Sequence, residues 1–117
     1  MPHVVLEEAT DLAVACQGIE LAMQRSGDEI LKTVDMYLNR LSSIALVDCV
    51  VVEAGRSQSF FVQLAQKNQQ ITVRLLPGTD PEKTIGVKRL MGVIAKQLRD
   101  STPGSRFGKT NLQDFLD

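Results

Sequence analysis

The residues with the clearest potential for chemistry lie in Gly78-Thr79-Asp80-Pro81-Glu82-Lys83-Thr84, between a predicted strand and a predicted helix. A glycine-containing turn at such a place that ends in Lys-Thr is typical of a phosphate-binding loop. However, the glycine that normally precedes the lysine is absent, and Asp80 and Glu82 would bring negative charge to the backbone donors that hold phosphate. The segment is better interpreted as a capping box, with Thr79 as the helix cap and Glu82 reaching back to it.

The other reactive residue types do not form a catalytic set. His3 is the only histidine, and a lone histidine supplies neither a triad nor a metal cage. Glu7 and Glu8 are adjacent and therefore point in different directions. Cys16 and Cys49 lie in apolar runs without a CxxC spacing, which favours buried thiols and leaves a disulfide between them open. The sequence therefore predicts no enzyme, no metal site and no cofactor.

A basic face on the predicted second helix, from about Pro81 to Arg99, is the main candidate binding site. Its members share one side of the helix at about 100° per residue, and they are Lys88, Arg89, Gly92, Lys96 and Arg99. No acid lies among them, so the face suits phosphate or an acidic partner, which Gly92 would allow to approach closely. The alternative is a solvated helix face in which Gly92 permits close packing inside the domain.

Length and composition set the class of protein. The chain has 117 residues, 44% of them hydrophobic and 23% charged, which suits one globular domain. A net charge of -1 argues against a protein held to nucleic acid or lipid by overall charge. No apolar run reaches the roughly 20 residues of a membrane span, and the N-terminus does not resemble a signal peptide. We therefore expect a cytoplasmic protein with no membrane partner.

The strongest helical pattern before the sheet runs from about Asp28 to Ile44. Ser26-Gly27-Asp28-Glu29 has the form of a capping box. Apolar residues then recur at three- and four-residue steps, as Ile30, Leu31, Val34, Tyr37, Leu38, Leu41 and Ile44. Residues 10–25 fit either another helix or a hairpin turning at Gln17-Gly18, and the helix is favoured.

Three runs of β-forming residues follow, from about Leu46 to Glu53, Ser59 to Gln66 and Ile71 to Leu76. The short polar links between them predict hairpins, and hence an antiparallel meander. The first two runs place apolar side chains on both faces, so one face needs a second cover. If the N-terminal segment does not cover Val50, Val52 and Phe61, these residues form an exposed patch for self-association.

These patterns predict an α+β domain over residues 1–100, with a helix or helical pair, a three-stranded antiparallel meander and a helix, the helices packing on one sheet face. Residues 101–117 are expected to form a flexible C-terminal tail that can carry a short docked turn. The predicted function is a non-catalytic protein-interaction module, such as a small adaptor, an inhibitor or a homodimeric regulatory protein.

The alternative function is RNA or DNA binding through the basic face of the second helix. The element order of helix, three antiparallel strands and helix is shared with double-stranded RNA-binding domains. The basic cluster that such domains carry at the start of that helix is represented here by Lys83 alone. No family is therefore assigned.

Overall fold

Seven strands and two helices make up a computed structural model that describes residues 1–117. In chain order the elements are β1 His3–Glu7, α1 Leu12–Cys16, β2 Met23–Ser26, β3 Glu29–Leu38, β4 Ile44–Glu53, β5 Arg56–Lys67, β6 Gln70–Leu75, α2 Ile85–Asp100 and β7 Arg106–Thr110, and a 3-10 turn follows at Gln113–Phe115.

All strands belong to one antiparallel sheet with the order β2-β3-β4-β5-β6-β1-β7. Strands β2 to β6 follow each other as neighbours, whereas β1 returns to pair with β6, with Val4 opposite Val73. Strand β7 then pairs with the far side of β1. The sheet curls into a half-barrel.

The core lies between the concave face of the sheet, here called the inner face, and the two helices. On β4 the buried residues alternate with partly exposed ones, as a strand with one covered face requires. Helix α2 completes the core with the stripe Val87, Leu90, Met91, Ile94, Ala95 and Leu98. Helix α1 adds Leu12, Ala15 and Cys16.

The predicted fold class is wrong, because the sheet dominates the molecule and the region predicted as a long first helix is strand β3. Ser26 and Glu29 face each other across a two-residue hairpin turn, where Gly27 has a φ of +58°. The helix-like spacing has a physical source: the register shifts at a β-bulge between Thr33 and Asp35. The bulge changes which residues face inward, and apolar residues on both faces complete the false helical pattern.

The three predicted strand runs correspond to β4, β5 and β6. The turn between β4 and β5 has positive φ angles at both Ala54 and Gly55, 49° and 81°, which is the backbone of a type I′ hairpin. Asn68 provides the positive φ, 57°, between β5 and β6. Local turn chemistry therefore specifies this part of the sheet.

Residues 101–117, predicted as a flexible tail, form an ordered part of the sheet and core. Strand β7 pairs with β1, with Arg106 opposite Glu7. The side chains of Leu112 and Leu116 are buried on either side of the 3-10 turn. The Ser, Gly and Pro residues that indicated a tail form only the turn between α2 and β7, which includes Gly104 at a φ of 85°.

The helix favoured for residues 10–25 is present only as α1, a single short helix. Asp11 caps it by accepting a hydrogen bond from the Val14 N–H at 3.1 Å. The chain then extends into β2, so the same region supplies both a helix and an edge strand.

Candidate functional site

The face of the sheet opposite the helices, here called the outer face, carries no covering element. Both helices bury their apolar residues against the inner face. The outward-pointing residues of β4 are Ile44, Leu46, Asp48, Val50 and Val52, and none of them is buried. The outward residues of β3 and β5 are likewise exposed or half-buried. The outer face is therefore a regular surface that is available to a partner.

Apolar side chains occupy the centre of the outer face. Val50 and Val52 lie on β4, and Phe61 lies next to them on β5, directly opposite Asp48. Thus the three residues predicted for self-association share one uncovered face. The neighbouring strand β3 extends the apolar area with Val34 and Tyr37, which are 41% and 53% exposed. Binding by this surface stays a prediction.

Two aspartates stand side by side within this apolar area. Asp35 on β3 lies directly opposite Asp48 on β4, and like charges in such cross-strand positions are destabilising. Asp35 accepts a hydrogen bond from the backbone N–H of Met36 at 2.7 Å. Neither carboxylate forms an ion pair with a basic side chain of this chain. We refer to Asp35 and Asp48 as the acid pair.

The acid pair affects its neighbour Tyr37. The negative charge of Asp35, and to a lesser extent burial and the charge of Asp48, raise the pKa of the Tyr37 phenol above its usual value. This centre was missed from the sequence because residues 28–44 were predicted to be helical. Asp48 within the apolar run of β4 was the only visible signal, and its partner Asp35 depends on the register of β3.

Cationic side chains lie on the same face. Lys32 on β3 is opposite Val50, one outward position along the strand from Asp35, and it forms no ion pair. Arg74 on β6 donates a hydrogen bond from Nε to Gln63 Oε1 at 2.8 Å. The outer face thus combines an apolar centre with charges of both signs.

Most of the predicted basic face on α2 interacts within the molecule. Arg89 is paired with Glu29 at 2.5 Å. Arg99 pairs with Asp100 at 3.3 Å and lies over the ring of Phe107, 4.7 Å from its centroid. Lys96 Nζ donates to the carbonyl of the last residue, Asp117, at 3.4 Å. These contacts reduce the positive charge available to an outside partner.

Gly92 and Lys88 have separate surroundings. Gly92 is buried, and a Cβ there would overlap the carbonyl oxygen of Phe115, so the glycine allows the 3-10 turn to pack on α2. Lys88 lines a cleft of 170 Å³ together with Lys83 and Asn111. Binding by the five predicted residues stays a prediction, but the structure does not arrange them as one free surface.

The start of α2 is already occupied by protein groups. Thr84 is the helix cap and accepts a hydrogen bond from the Val87 N–H at 3.3 Å. The Glu53 carboxylate accepts one from the Gly86 N–H at 2.9 Å and another from the Thr84 hydroxyl. A carboxylate therefore sits where a phosphate-binding loop would hold phosphate.

The two cysteines are free and buried. Burial raises the pKa of the Cys16 thiol to about 11. Burial, with a smaller contribution from the charge of Asp48, raises the pKa of the Cys49 thiol to about 12. Since the thiolate is the reactive form, neither sulfur is activated as a nucleophile at neutral pH.

The remaining concave sites are small or open. The space between α2 and the β2–β3 side of the sheet, beside Thr33, measures only 10 Å³. An open cleft of 260 Å³ is lined by Gly18, Glu20, Gln97, Asp100 and Ser101, without any apolar side chain. Typical ligand pockets are larger, about 300–1,000 Å³, and mostly apolar. No group of three or more His, Cys, Asp or Glu residues is placed to hold a metal ion.

The chain matches no known protein family, and no curated protein or solved structure is detectably similar to it. Neither helix combines the length and the apolar character needed to cross a membrane.

Proposed function

We propose that this chain is a non-catalytic protein-interaction module that binds its partner through the outer face of the sheet. The observation that carries the proposal is the placement of both helices on the inner face, which leaves the apolar centre of the outer face uncovered. Contiguous apolar area on a small protein commonly marks an interaction site.

The arrangement of residue types supports the proposal. Protein interfaces combine an apolar core with a polar rim. Here Val50, Val52 and Phe61 form the centre, and neighbouring outward positions on β5 and β6 carry Ser57, Ser59, Gln63, Thr72 and Arg74. A partner that covers this face would bury apolar side chains without removing backbone groups from hydrogen bonds, since the strands already satisfy one another.

Nucleic-acid binding receives less support. The element order that suggested it does not exist, because residues 29–38 are strand β3 rather than helix. Arg89 and Arg99 are ion-paired within the chain, and the outer face has a pair of carboxylates within its apolar area. Phosphate contacts require accessible cations and are weakened by neighbouring acids.

The proposal can be tested with a photoreactive residue. Replacing Ser59 by p-benzoylphenylalanine places the probe on the outer face, opposite Val50. The control probe replaces Gln113, an exposed residue of the 3-10 turn outside the sheet. On irradiation in cells that express the chain, we expect a discrete adduct from position 59, identified by mass spectrometry, and none of the same mass from position 113.

A second variant links the adduct to the apolar centre. Val52→Lys adds a charge to an apolar part of the outer face without changing the core, and it should suppress the adduct from position 59 while the far-ultraviolet circular dichroism stays unchanged. No adduct from position 59, or identical adducts from both probe positions, would reject the outer face as the binding surface.

A further inference from the structure

We propose that the occupant of the outer face is a second copy of this chain, docked about a two-fold axis that brings Lys32 of each copy to the acid pair of the other. This inference rests on the proposed function, because it assumes that the outer face is the binding surface. It adds the identity of the partner and the charged contact that selects it.

The first argument is the unbalanced charge of the acid pair. Asp35 and Asp48 face each other without a cation from their own chain. Covering the surrounding apolar area would remove water from both carboxylates, which is unfavourable unless the partner supplies a positive charge. The occupant must therefore be apolar at its centre and carry a basic side chain beside that centre.

The second argument is that this chain meets the requirement itself. Lys32 lies on the same face, in the row of outward residues next to the acid pair, with Val50 opposite it. It is exposed and has no acidic partner. One surface thus holds the apolar centre, an unneutralised anionic site and a free cation, which is the composition of a self-complementary patch.

The third argument is geometric. In a two-fold interface, if one residue contacts a second, the second contacts the first in the other half. Consider an axis that lies across the strands, between the Lys32 row and the acid-pair row. It places Lys32 of each copy over the partner's Asp35, so the contact forms once in each half of the dimer. The same axis lays Ile30 and Val52 over the partner's Tyr37 and Leu46, which brings apolar side chains together. It lays Val50 over the partner's Asp48, beside the Lys32 of the same copy. Such aligned face-to-face packing is usual for two sheets.

The size of the face suits a dimer. Strands β3, β4 and β5 have 10, 10 and 12 residues, and β6 has 6. At a rise of about 3.4 Å per residue and a spacing of about 4.8 Å between strands, these four strands cover roughly 600 Å² measured along the curled sheet. Protruding side chains add to this area, but the curl turns the outermost strands away from a partner. The contact therefore stays below the roughly 800 Å² per partner of a standard interface, which suits a weak dimer.

The experiment is a charge exchange between copies of the full chain, followed by size-exclusion chromatography with light scattering and by native mass spectrometry. Wild type should dimerise at or below about 1 mM protein. Asp35→Lys and Lys32→Asp should each weaken the dimer by roughly a hundredfold, because each creates two repulsive contacts per dimer. An equimolar mixture of the two variants should restore a dimer with the mass of one copy of each.

Matched controls carry the same charge changes elsewhere. Asp114→Lys in the 3-10 turn and Lys109→Asp on β7 alter exposed residues, and both should dimerise as wild type does. A monomeric wild type at 1 mM would overturn the inference. A dimer that resists both exchanges, or a mixture that stays monomeric, would also overturn it, because the contact would then lie elsewhere.

The two proposals fail separately. If wild type is monomeric but the probe at position 59 captures another protein in a manner that Val52→Lys abolishes, the outer face binds a different partner and only this inference is lost. If wild type is monomeric and position 59 gives no adduct, both proposals are rejected.

Discussion

Thr33 is the one buried residue with a polar side chain, and its hydroxyl joins two parts of the chain. The hydroxyl donates to the Glu20 carbonyl at 2.7 Å and accepts from the Ala22 N–H at 2.9 Å. The segment that leads into β2 is thereby held against β3, on the inner face of the sheet beside α2.

Thr33→Val should lower the free energy of unfolding by about 1–3 kcal/mol, because a backbone N–H and a carbonyl lose their partner in a part-buried site. Urea unfolding monitored by circular dichroism measures the change. The control is Thr72→Val on the outer face, whose hydroxyl makes no hydrogen bond within the chain; it should change stability by less than about 0.5 kcal/mol. Equal losses in the two variants would contradict a specific role for the Thr33 hydroxyl.

Single residues also show which parts of the candidate site a sequence can reveal. Val50, Val52 and Phe61 were found because apolar residues at consecutive strand positions imply two apolar faces, a property local to each strand. The acid pair was not found, because a pair across two strands depends on their register. Gly92 packs closely against Phe115, as the alternative interpretation of the basic face predicted, but this contact comes from a segment that was predicted to be a flexible tail.

At the scale of the element, the start of α2 shows how tertiary contacts override a local signal. The spacing of Thr79 and Glu82 predicted the helix cap there, but the helix begins at Ile85 with Thr84 as its cap. Glu82 is used differently: its backbone N–H donates to Gln58 at 2.7 Å, and its carboxylate pairs with Arg56 at 3.0 Å. The link is therefore held to β5 in a non-helical conformation.

The two threonines give a matched pair of variants. Thr84→Ala should lower the free energy of unfolding by about 1–2 kcal/mol, because it removes the cap and the hydroxyl that binds Glu53. Thr79→Ala should cost much less, since Thr79 donates only to the Leu76 carbonyl in an exposed turn. Thermal and urea unfolding of both variants compare them directly. A larger loss of unfolding free energy for Thr79→Ala than for Thr84→Ala would instead support Thr79 as the helix cap, as the sequence predicted.

Elements with local determinants were predictable, and those with distant determinants were not. Strands β4, β5 and β6 follow from β-forming runs and turn residues that lie next to each other in the chain. Strand β7 has the sequence Arg-Phe-Gly-Lys-Thr, which lacks a strong strand pattern and becomes a strand because β1 offers an edge. Strand β3 was misassigned because its bulge breaks the two-residue period that identifies strands.

At the scale of the whole molecule, stability should be distributed from the centre of the sheet outward. Strands β4 and β5 pair with each other at ten residue positions, and each also pairs with another strand on its other side. Their inward apolar residues are buried. Strand β2 pairs only with β3, and all four of its residues are exposed. Local opening requires less free energy where few buried contacts must be broken.

Hydrogen exchange should follow this order. Amides of residues 45–51 in β4 are expected to exchange only on global unfolding, whereas those of residues 23–26 in β2 should exchange by local opening, at least about a hundredfold faster. Exchange followed by NMR, with rates corrected for intrinsic differences, measures the ratio. Equal protection of the two segments would show that the edge is coupled to the centre more tightly than its contacts indicate.

The position of β1 between β6 and β7 has a consequence for how the protein is made. Strands β2 to β6 join sequential neighbours and can pair as the ribosome releases them, but the first strand must wait for residues 70–75 and then for residues 106–110. Its hydrogen bonds close loops that span most of the chain, which is the slow step in folds of high contact order. Until these residues have been synthesised, the free edge of β6 and the unpaired β1 remain open to misassembly with other nascent chains. Residues 106–110 thus complete the pairing of a strand that was synthesised about a hundred residues earlier.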